Sequence, residues 1–368
     1  MLCGLLRRGW VLVVLLAVIA APPCAAGSAP KNIIFLIGDG MGIGPVTAAR
    51  CAGPGRDGRL AMDTMPFTGL SITYSANALV TDSAASGTAM AAGVKTNNGM
   101  ISVTPEGKPV KTILEIARDK GKSTGVVSTK FITDATPAVF AAHIDSRGKS
   151  PEIAVQMVAA KLNVILGGGR RHFAPKSAGG TRDDDRNLLD EAARSGYTIV
   201  DSAEAMQQAT SDRIIGLFAP DSLTTEAPEP TIAEMTIKAI STLNKNPKGF
   251  FVMSEGGQID SYAHGNKADG TVRQTLLFDD AVKAALDFAK KDRRTLVVVT
   301  ADHDTGGLGV MEPNKDNPKF TAGWVTGGHT ANMVPIFAYG PGAELFTGVH
   351  DNTDIPRAMA KLWRAKLN

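Results

Sequence analysis

The stretch NIIFLIGDG, residues 32–40, contains five apolar side chains in succession and then ends abruptly in glycine and aspartate. An apolar run without alternation is typical of a strand that is covered on both faces, as in the centre of a parallel sheet. Gly38 stops the run, so Asp39 is predicted to lie just beyond the carboxyl end of this strand. Functional side chains of open α/β sheets gather at that end.

Similar apolar runs recur along the chain and alternate with segments of helical periodicity. The predicted strands are 32–37, 124–128, 164–166, 214–219, 250–254, 295–300 and 334–339. The predicted helices are 111–119, 231–244, 272–290 and 353–367. This alternation predicts an α/β fold, a three-layer sandwich in which a central, mostly parallel sheet is covered by helices on both faces.

Composition is that of a soluble globular protein with a large core, since 43% of the 368 residues are hydrophobic and 20% are charged. The 39 basic and 36 acidic side chains nearly balance, and no basic run suggests a nucleic-acid partner. The sequence ends in AKLWRAKLN, which lacks the apolar tail of a glycolipid anchor or a membrane span. We therefore expect neither a nucleic-acid partner nor a membrane anchor.

The N-terminal residues have the layout of a secretory signal peptide. Arg7 and Arg8 precede an apolar run over 10–21, and small residues follow. The run is short for a membrane anchor, while Cys24 and the paired arginines leave a lipoprotein or twin-arginine signal as alternatives. We predict ordinary export to the periplasm or the medium, with 1–26 as the signal peptide. The length of the remaining segment, 27–368, permits one large domain or two medium ones. Only Cys51 then remains, so no internal disulfide is expected.

Three histidines lie beside aspartates or glycines at predicted strand ends. Asp260 and His264 are four residues apart and share one face if that segment is helical, while Asp302 and His303 are adjacent. His329 lies in TGGHT. Imidazole and carboxylate together suit zinc. A core histidine hydrogen-bonded to an aspartate is the structural alternative, and spacing alone does not decide between the two.

Ser83 lies in VTDSAASGTAMAAG, residues 80–93, in front of small residues that are predicted to form a closely packed helix. Free backbone N–H groups and the helix dipole favour a negative group at such a position. Ser83 is therefore either a nucleophile or an ordinary N-cap serine. Since no histidine is adjacent in the sequence, activation of this hydroxyl would require a metal ion.

Seven motifs occur together and in one order between residue 31 and about residue 341. They are IGDGMG (37–42), TDSAASGTAMAAGVKTNNG (81–99), DATPAVFAAHIDSR (134–147), LGGGR (166–170), SEGGQIDSYAH (254–264), TADHDTGGL (300–308) and TGGHT (326–330). In content and order they resemble the motifs of the alkaline phosphatase family. Several independent motifs in one order are far more specific than any single one.

The resemblance implies an activity and a role for each matching position. Members of this family hydrolyse small phosphate monoesters to an alcohol and inorganic phosphate through a phosphoserine, which would form on Ser83, and Arg147 would grip two phosphate oxygens. The resemblance also implies that 27–368 is a single catalytic domain. It further implies a homodimer, with two zinc ions and one magnesium ion in each subunit. The implied ligands are Asp260, His264 and His329 for one zinc, Asp39, Asp302 and His303 for the other, and Asp39, Thr136 and Glu255 for magnesium.

Two positions near the implied magnesium ligands depart from the pattern of other members. Asp134 is expected to act through magnesium-bound water rather than by direct contact. Ser261 stands where an enteric bacterial member with the same aspartate has lysine, and animal members have histidine at both positions. The magnesium site of this chain is therefore expected to lack a nearby positive charge, which would alter magnesium affinity and phosphate release.

Two other interpretations compete with a phosphomonoesterase. A sulfatase or phosphodiesterase could share the architecture, although the sequence around Ser83 does not resemble a sulfatase nucleophile and a diesterase has no evident need for Thr136 and Glu255. An exported phosphate- or zinc-binding protein, an inactive relative, could keep the ligands without catalysis. The sequence contains Ser83 as well as every implied ligand, which argues against a loss of catalysis.

Overall fold

The computed structural model describes residues 29–315 and 317–368, and the predicted signal peptide, 1–26, lies outside these residues. The strands are β1 Asn32–Gly38, β2 Phe67–Ile72, β3 Ser123–Phe131, β4 Val164–Gly168, β5 Thr198–Val200, β6 Ile214–Leu217, β7 Phe250–Gly256, β8 Thr295–Thr300, β9 Asp304–Thr305, β10 Gly309–Met311, β11 Thr321–Gly323, β12 His329–Thr330, β13 Val334–Tyr339 and β14 Gly348–Asp351. The helices are α1 Ile43–Ala52, α2 Ser83–Ala92, α3 Ile113–Asp119, α4 Ala135–Ala138, α5 Ser150–Ala159, α6 Leu188–Arg194, α7 Ala203–Gln208, α8 Ile232–Leu243, α9 Gln258–His264, α10 Ala268–Asp292 and α11 Asp354–Leu362.

Ten of these strands form one sheet in the order β14-β2-β13-β8-β1-β7-β3-β4-β6-β5. All neighbouring pairs are parallel except those that β13 makes with β2 and β8. The predicted α/β architecture with a mostly parallel sheet is confirmed.

Alternate side chains of β1 enter two separate cores, one on each face of the sheet. Ile33, Phe35 and Ile37 pack in one core with α3, α5 and α11. Ile34 and Leu36 pack in the other with α8 and α10. Because β1 is buried along its whole length, its apolar run does not alternate. The predicted cover of helices on both faces is therefore confirmed.

The carboxyl ends of the three central strands are aligned by their register. Ile37 of β1 is opposite Glu255 of β7 on one side and Thr300 of β8 on the other. Asp39 follows β1 directly, so it lies at the level of Glu255 at the end of β7. Asp302 lies in the turn after β8, at the same edge of the sheet. Parallel register thus brings three acidic side chains, far apart in sequence, to one edge.

The sequence analysis missed the strands β2, β5 and β14 of the main sheet and the helices α1, α5, α6 and α7, and it misplaced some helix ends. β2 has the sequence FTGLSI with only Ser71 fully buried, and β14 is a partly exposed edge strand, so neither contains an apolar run. The long helix α10 extends beyond the predicted 272–290 at both ends, and α11 ends at Leu362 rather than at 367. Among the residues described, no helix combines the length and apolarity that crossing a membrane requires.

Candidate active site

Acidic oxygen atoms without hydrogen-bond partners cluster at the carboxyl edge of the sheet. Asp39, Glu255 and Asp302 are fully buried there. Within the described residues, both carboxylate oxygens of Asp39, one oxygen each of Glu255 and Asp302, and the hydroxyl of Thr136 have no hydrogen bond. Burying a carboxylate without a partner is costly, so such a cluster fits bound cations.

Asp39, Asp302 and His303 form one candidate metal group, with ligand atoms within 4.8 Å of one another. The Nε2 atom of His303 lies 3.2 Å from Asp302 Oδ2 and 3.5 Å from Asp39 Oδ1. Burial lowers the pKa of His303 to about 4, against the pull of Asp302, so the ring is neutral at physiological pH. A neutral imidazole with a free Nε2 is what zinc binding requires.

Asp260, His264 and His329 form a second group beside the first. Helix α9 places Asp260 and His264 on one face, as their spacing predicted, with 3.2 Å between Oδ1 and Nε2. His329 arrives on β12, with its Nε2 atom 3.2 Å from that of His264 and 3.7 Å from Asp260 Oδ1. His303 also lies within ligand distance of Asp260 and His329, so the two groups adjoin.

Each of the three histidines contacts a backbone carbonyl or hydroxyl oxygen atom through Nδ1, and its Nε2 atom faces the carboxylates. Nδ1 of His264 lies 2.8 Å from the carbonyl of Gly327, and Nδ1 of His329 lies 2.9 Å from that of Thr81. Nδ1 of His303 faces the hydroxyl of Thr305 at 3.1 Å, and this hydroxyl donates to Asp260. Such outer contacts fix the tautomer and the ring orientation of metal-binding histidines. The structural alternative for these histidines does not explain why all three Nε2 atoms turn towards carboxylates.

Ser83 is the first residue of α2 and is almost fully buried. The N-cap is Asp82, whose carboxylate accepts a hydrogen bond from the Ala85 N–H at 2.9 Å. The N-cap interpretation of Ser83 is therefore wrong. Its Oγ atom lies 3.2 Å from Nε2 of His303, so the fold supplies the histidine contact that the local sequence lacks.

Arg147 lies over the same edge and is held by two carboxylates. It donates to Asp82 from Nη1 at 3.1 Å and to Asp134 from Nη2 at 2.9 Å. Its side chain is about one third exposed, at 32%. The guanidinium is thus oriented by Asp82, which precedes Ser83 in the chain, and by Asp134, which lies two residues before Thr136. It stays partly open to solvent.

Glu255 and Thr136 supply further buried oxygen atoms without hydrogen bonds. Ser128 donates a short hydrogen bond to one oxygen of Glu255, which leaves the other oxygen unpartnered. Burial, reinforced by the nearby charge of Asp134, raises the pKa of Glu255 above its ordinary value. Oxygen-only donors of this kind suit magnesium rather than zinc.

Lys130 is a charged side chain at this edge of the sheet that the sequence analysis did not single out. Its Nζ atom lies 3.4 Å from Oδ2 of Asp260 and 3.9 Å from Oδ2 of Asp39. The expectation that Ser261 leaves these carboxylates without a nearby positive charge is therefore wrong. Ser261 itself is exposed and lines a separate surface cavity with Leu223 and Lys267.

Comparison with known proteins agrees with this geometry. The family model described as alkaline phosphatase matches residues 30–317 and 309–365. Alkaline phosphatase 3 of Bacillus subtilis is 36% identical over 90% of this chain and 88% of its own length.

Solved structures give the same result. The alkaline phosphatase of the Antarctic bacterium TAB5 superposes with a TM-score of 0.84 at 35% identity, covering 92% of this chain and 99% of that one. A histidine-to-aspartate variant of the same enzyme, with magnesium bound in its M3 site, superposes with a TM-score of 0.82 at 35% identity and the same coverage. The chain therefore belongs to the alkaline phosphatase family and is a metal-dependent hydrolase of phosphate monoesters.

Proposed function

We propose that Ser83 is the nucleophile of this hydrolase and that it becomes the phosphoserine of the family's reaction. The observation that supports this most directly is the position of its Oγ atom, 3.2 Å from His303 and at the first turn of α2. Backbone N–H groups at the start of a helix favour a bound anion. The phosphoryl group would therefore meet the nucleophile and a favourable helix end at the same point.

We further propose that the site holds two zinc ions and one magnesium ion. Asp260, His264 and His329 would bind one zinc, and Asp39, Asp302 and His303 the other. Asp39, Thr136 and Glu255 would bind magnesium, which is supported by their unpartnered oxygen atoms and by the magnesium in the M3 site of the TAB5 variant. Metal ions in such a site neutralise charge on the transferring phosphoryl group and lower the pKa of attacking hydroxyls.

The side chains around the metals have separate tasks in this scheme. Arg147 would bind two phosphate oxygens with the N–H groups that Asp82 and Asp134 leave free, because a planar guanidinium donates in pairs. Asp134 would orient Arg147 and act on magnesium through water. Recognition of the phosphate group rather than of the alcohol predicts a broad range of small monoester substrates.

Metal dependence can be tested with p-nitrophenyl phosphate. We expect fast turnover at alkaline pH, loss of turnover by at least about a thousandfold after chelation, and recovery on addition of zinc with magnesium. Bis(p-nitrophenyl) phosphate, the diester, is the control substrate and should react far more slowly. Turnover that survives chelation, or a preference for the diester, would contradict the proposal.

We also propose that the chain is exported as a single catalytic domain and forms a homodimer. An apolar surface supports the dimer, since Ile43, Met333 and Val349 are 53%, 42% and 60% exposed. Ile43 and Met333 line one cavity with Leu70, and Val349 pairs with Leu70 in the sheet. Contiguous apolar patches of this kind mark protein interfaces.

The mass of the secreted protein tests both parts of this proposal. We expect an intact mass that corresponds to residues 27–368 and a native mass of twice that value. Val349→Glu is expected to shift the native mass towards one chain without loss of folding, because a buried charge opposes association. A wild-type protein of single-chain mass would refute the dimer, and an uncleaved N-terminus would refute the signal peptide.

A further inference from the structure

Lys130 is an almost buried lysine among carboxylates that the proposed function assigns to metals. Its side chain is 14% exposed, and those of Asp39 and Asp260 are 1% and 8% exposed. Asp39 is a proposed ligand of both zinc and magnesium, and Asp260 is a proposed ligand of the other zinc. A single ammonium group therefore contacts carboxylates of all three proposed sites.

The local structure provides space and direction for this side chain. The Lys130 N–H donates to Ser128 Oγ at 2.8 Å, and Ser128 in turn donates to Glu255. A Cβ atom added at Gly257 would lie 2.3 Å from Cγ of Lys130. Any residue could adopt the backbone conformation of Gly257, whose φ is −73°. Glycine is therefore needed here only because a side chain would have no space. The absence of a side chain at Gly257 lets the Lys130 stem reach the carboxylates.

The charges around Lys130 favour its cationic form. Its Nζ atom lies 3.4 Å from Oδ2 of Asp260 and 3.9 Å from Oδ2 of Asp39. Opposite charges at such distances attract more strongly when they are shielded from water, as these side chains are.

We propose that Lys130 is a built-in counter-cation, a positioning residue that stabilises the carboxylates before metal ions bind and lowers the magnesium affinity of the third site. The second half of this inference rests on the proposed function, because it takes Asp39, Thr136 and Glu255 as the magnesium site. An ammonium beside Asp39 attracts the same carboxylate oxygens as the incoming ion and repels that ion. The metal-free site is thereby stabilised, while magnesium binding is weakened.

Two measurements on the full-length mature protein test this inference. The first is the melting temperature after complete chelation, and the second is calorimetric titration of magnesium into zinc-loaded protein. For Lys130→Met, which keeps the apolar stem, we expect a lower metal-free melting temperature and magnesium affinity raised by at least about tenfold. Lys130→Arg should stay close to wild type in both measurements, since it keeps the charge.

Gly257→Ala displaces the ammonium without altering Lys130 itself. The added methyl group would lie 2.3 Å from Cγ of Lys130 and 3.3 Å from Oε1 of Glu255, so the Lys130 stem is the group that must move most. We expect displacement of the ammonium to dominate, and magnesium affinity to change in the same direction as in Lys130→Met, where nothing approaches Glu255. Lys122→Met is the matched control, because Lys122 is half-buried just before the same strand and donates to the carbonyls of Lys31 and Lys248. It should leave magnesium affinity unchanged.

The outcomes separate this inference from the proposed function. Unchanged metal-free stability in Lys130→Met, or unchanged magnesium affinity in both Lys130→Met and Gly257→Ala, would overturn the inference. Glu255→Gln in the Lys130→Met background should abolish the gained magnesium binding. If that binding persists, the third site has been assigned to the wrong residues, while the metal-free melting temperature still decides whether Lys130 is the counter-cation.

Discussion

Replacement of Ser83 with alanine is expected to lower kcat/KM for p-nitrophenyl phosphate by about ten thousandfold or more. The alanine removes the oxygen that attacks phosphorus but leaves the helix end, Arg147 and the proposed metal ligands in place. Binding of inorganic phosphate should therefore stay within about threefold of wild type. Turnover with a radiolabelled monoester, followed by acid quenching, should label the wild-type chain on Ser83 and leave the variant unlabelled.

Two further variants make this result specific. Ser86→Ala removes a buried serine one turn further along α2, whose hydroxyl donates to the carbonyl of Asp302. We expect kcat/KM of this variant to fall by less than about tenfold, because Ser86 only helps to hold Asp302 in place and does not react. Arg147→Ala should weaken phosphate binding, which Ser83→Ala does not. Comparable losses of turnover in Ser83→Ala and Ser86→Ala would show that Ser83 contributes to packing rather than to chemistry.

Replacement of Asp39 with asparagine is expected to lower activity by at least about a thousandfold and to raise the stability of the metal-free protein. Burial, together with the charges of Asp260 and Asp302, raises the pKa of Asp39 well above its ordinary value. A neutral amide of the same shape removes this unfavourable charge, so the chelated variant should melt about 2 °C or more above chelated wild type. Metal content per chain, measured by mass spectrometry, should fall.

Asp304→Asn is the matched control for this prediction. Asp304 is also buried, but its carboxylate accepts hydrogen bonds from Thr330 and Asn332. Burial raises the pKa of Asp304 as well, but these hydrogen bonds oppose the effect of burial. Its replacement should therefore leave metal-free stability closer to wild type than Asp39→Asn does, and it should retain the metals. If Asp39→Asn destabilised the chelated protein and kept its metals, Asp39 would be a structural residue and the proposed zinc and magnesium sites would both be wrong.

The sequence predicted the centre of the fold well because the central strands are buried on both faces. β1 and β8 show this as unbroken apolar runs, and the acids that come after them in the chain lie at the site. The edge strand β14 and its neighbour β2 depend on pairing rather than on burial. In β2, a Cβ atom at Gly69 would lie 2.3 Å from the carbonyl oxygen of Phe346. Glycine is therefore required at this position because the backbone of Phe346 approaches it closely.

The site was predictable where ligands follow strand ends or share a helix face, as in Asp39 and the pair Asp260 and His264. Lys130 was not predictable, because its contacts depend on the pairing of β3 with β7 and on the space above Gly257. The N-cap role of Asp82 was also hidden, since aspartate and serine are equally common at that position. Local patterns thus indicated the proposed ligands, whereas long-range packing determines which side chains surround them.

The two proposed zinc groups lie in parts of the fold that we expect to open on different timescales. Asp39, Asp302 and His303 follow the innermost strands and are fully buried, so their exposure requires near-global unfolding. His264 lies at the end of a short helix with 42% of its side chain exposed, and His329 lies on a two-residue strand. Local fraying is enough to free these two ligands. The residence times of the two ions should therefore differ, and a chelator should remove metal in two kinetic phases, the outer ion first.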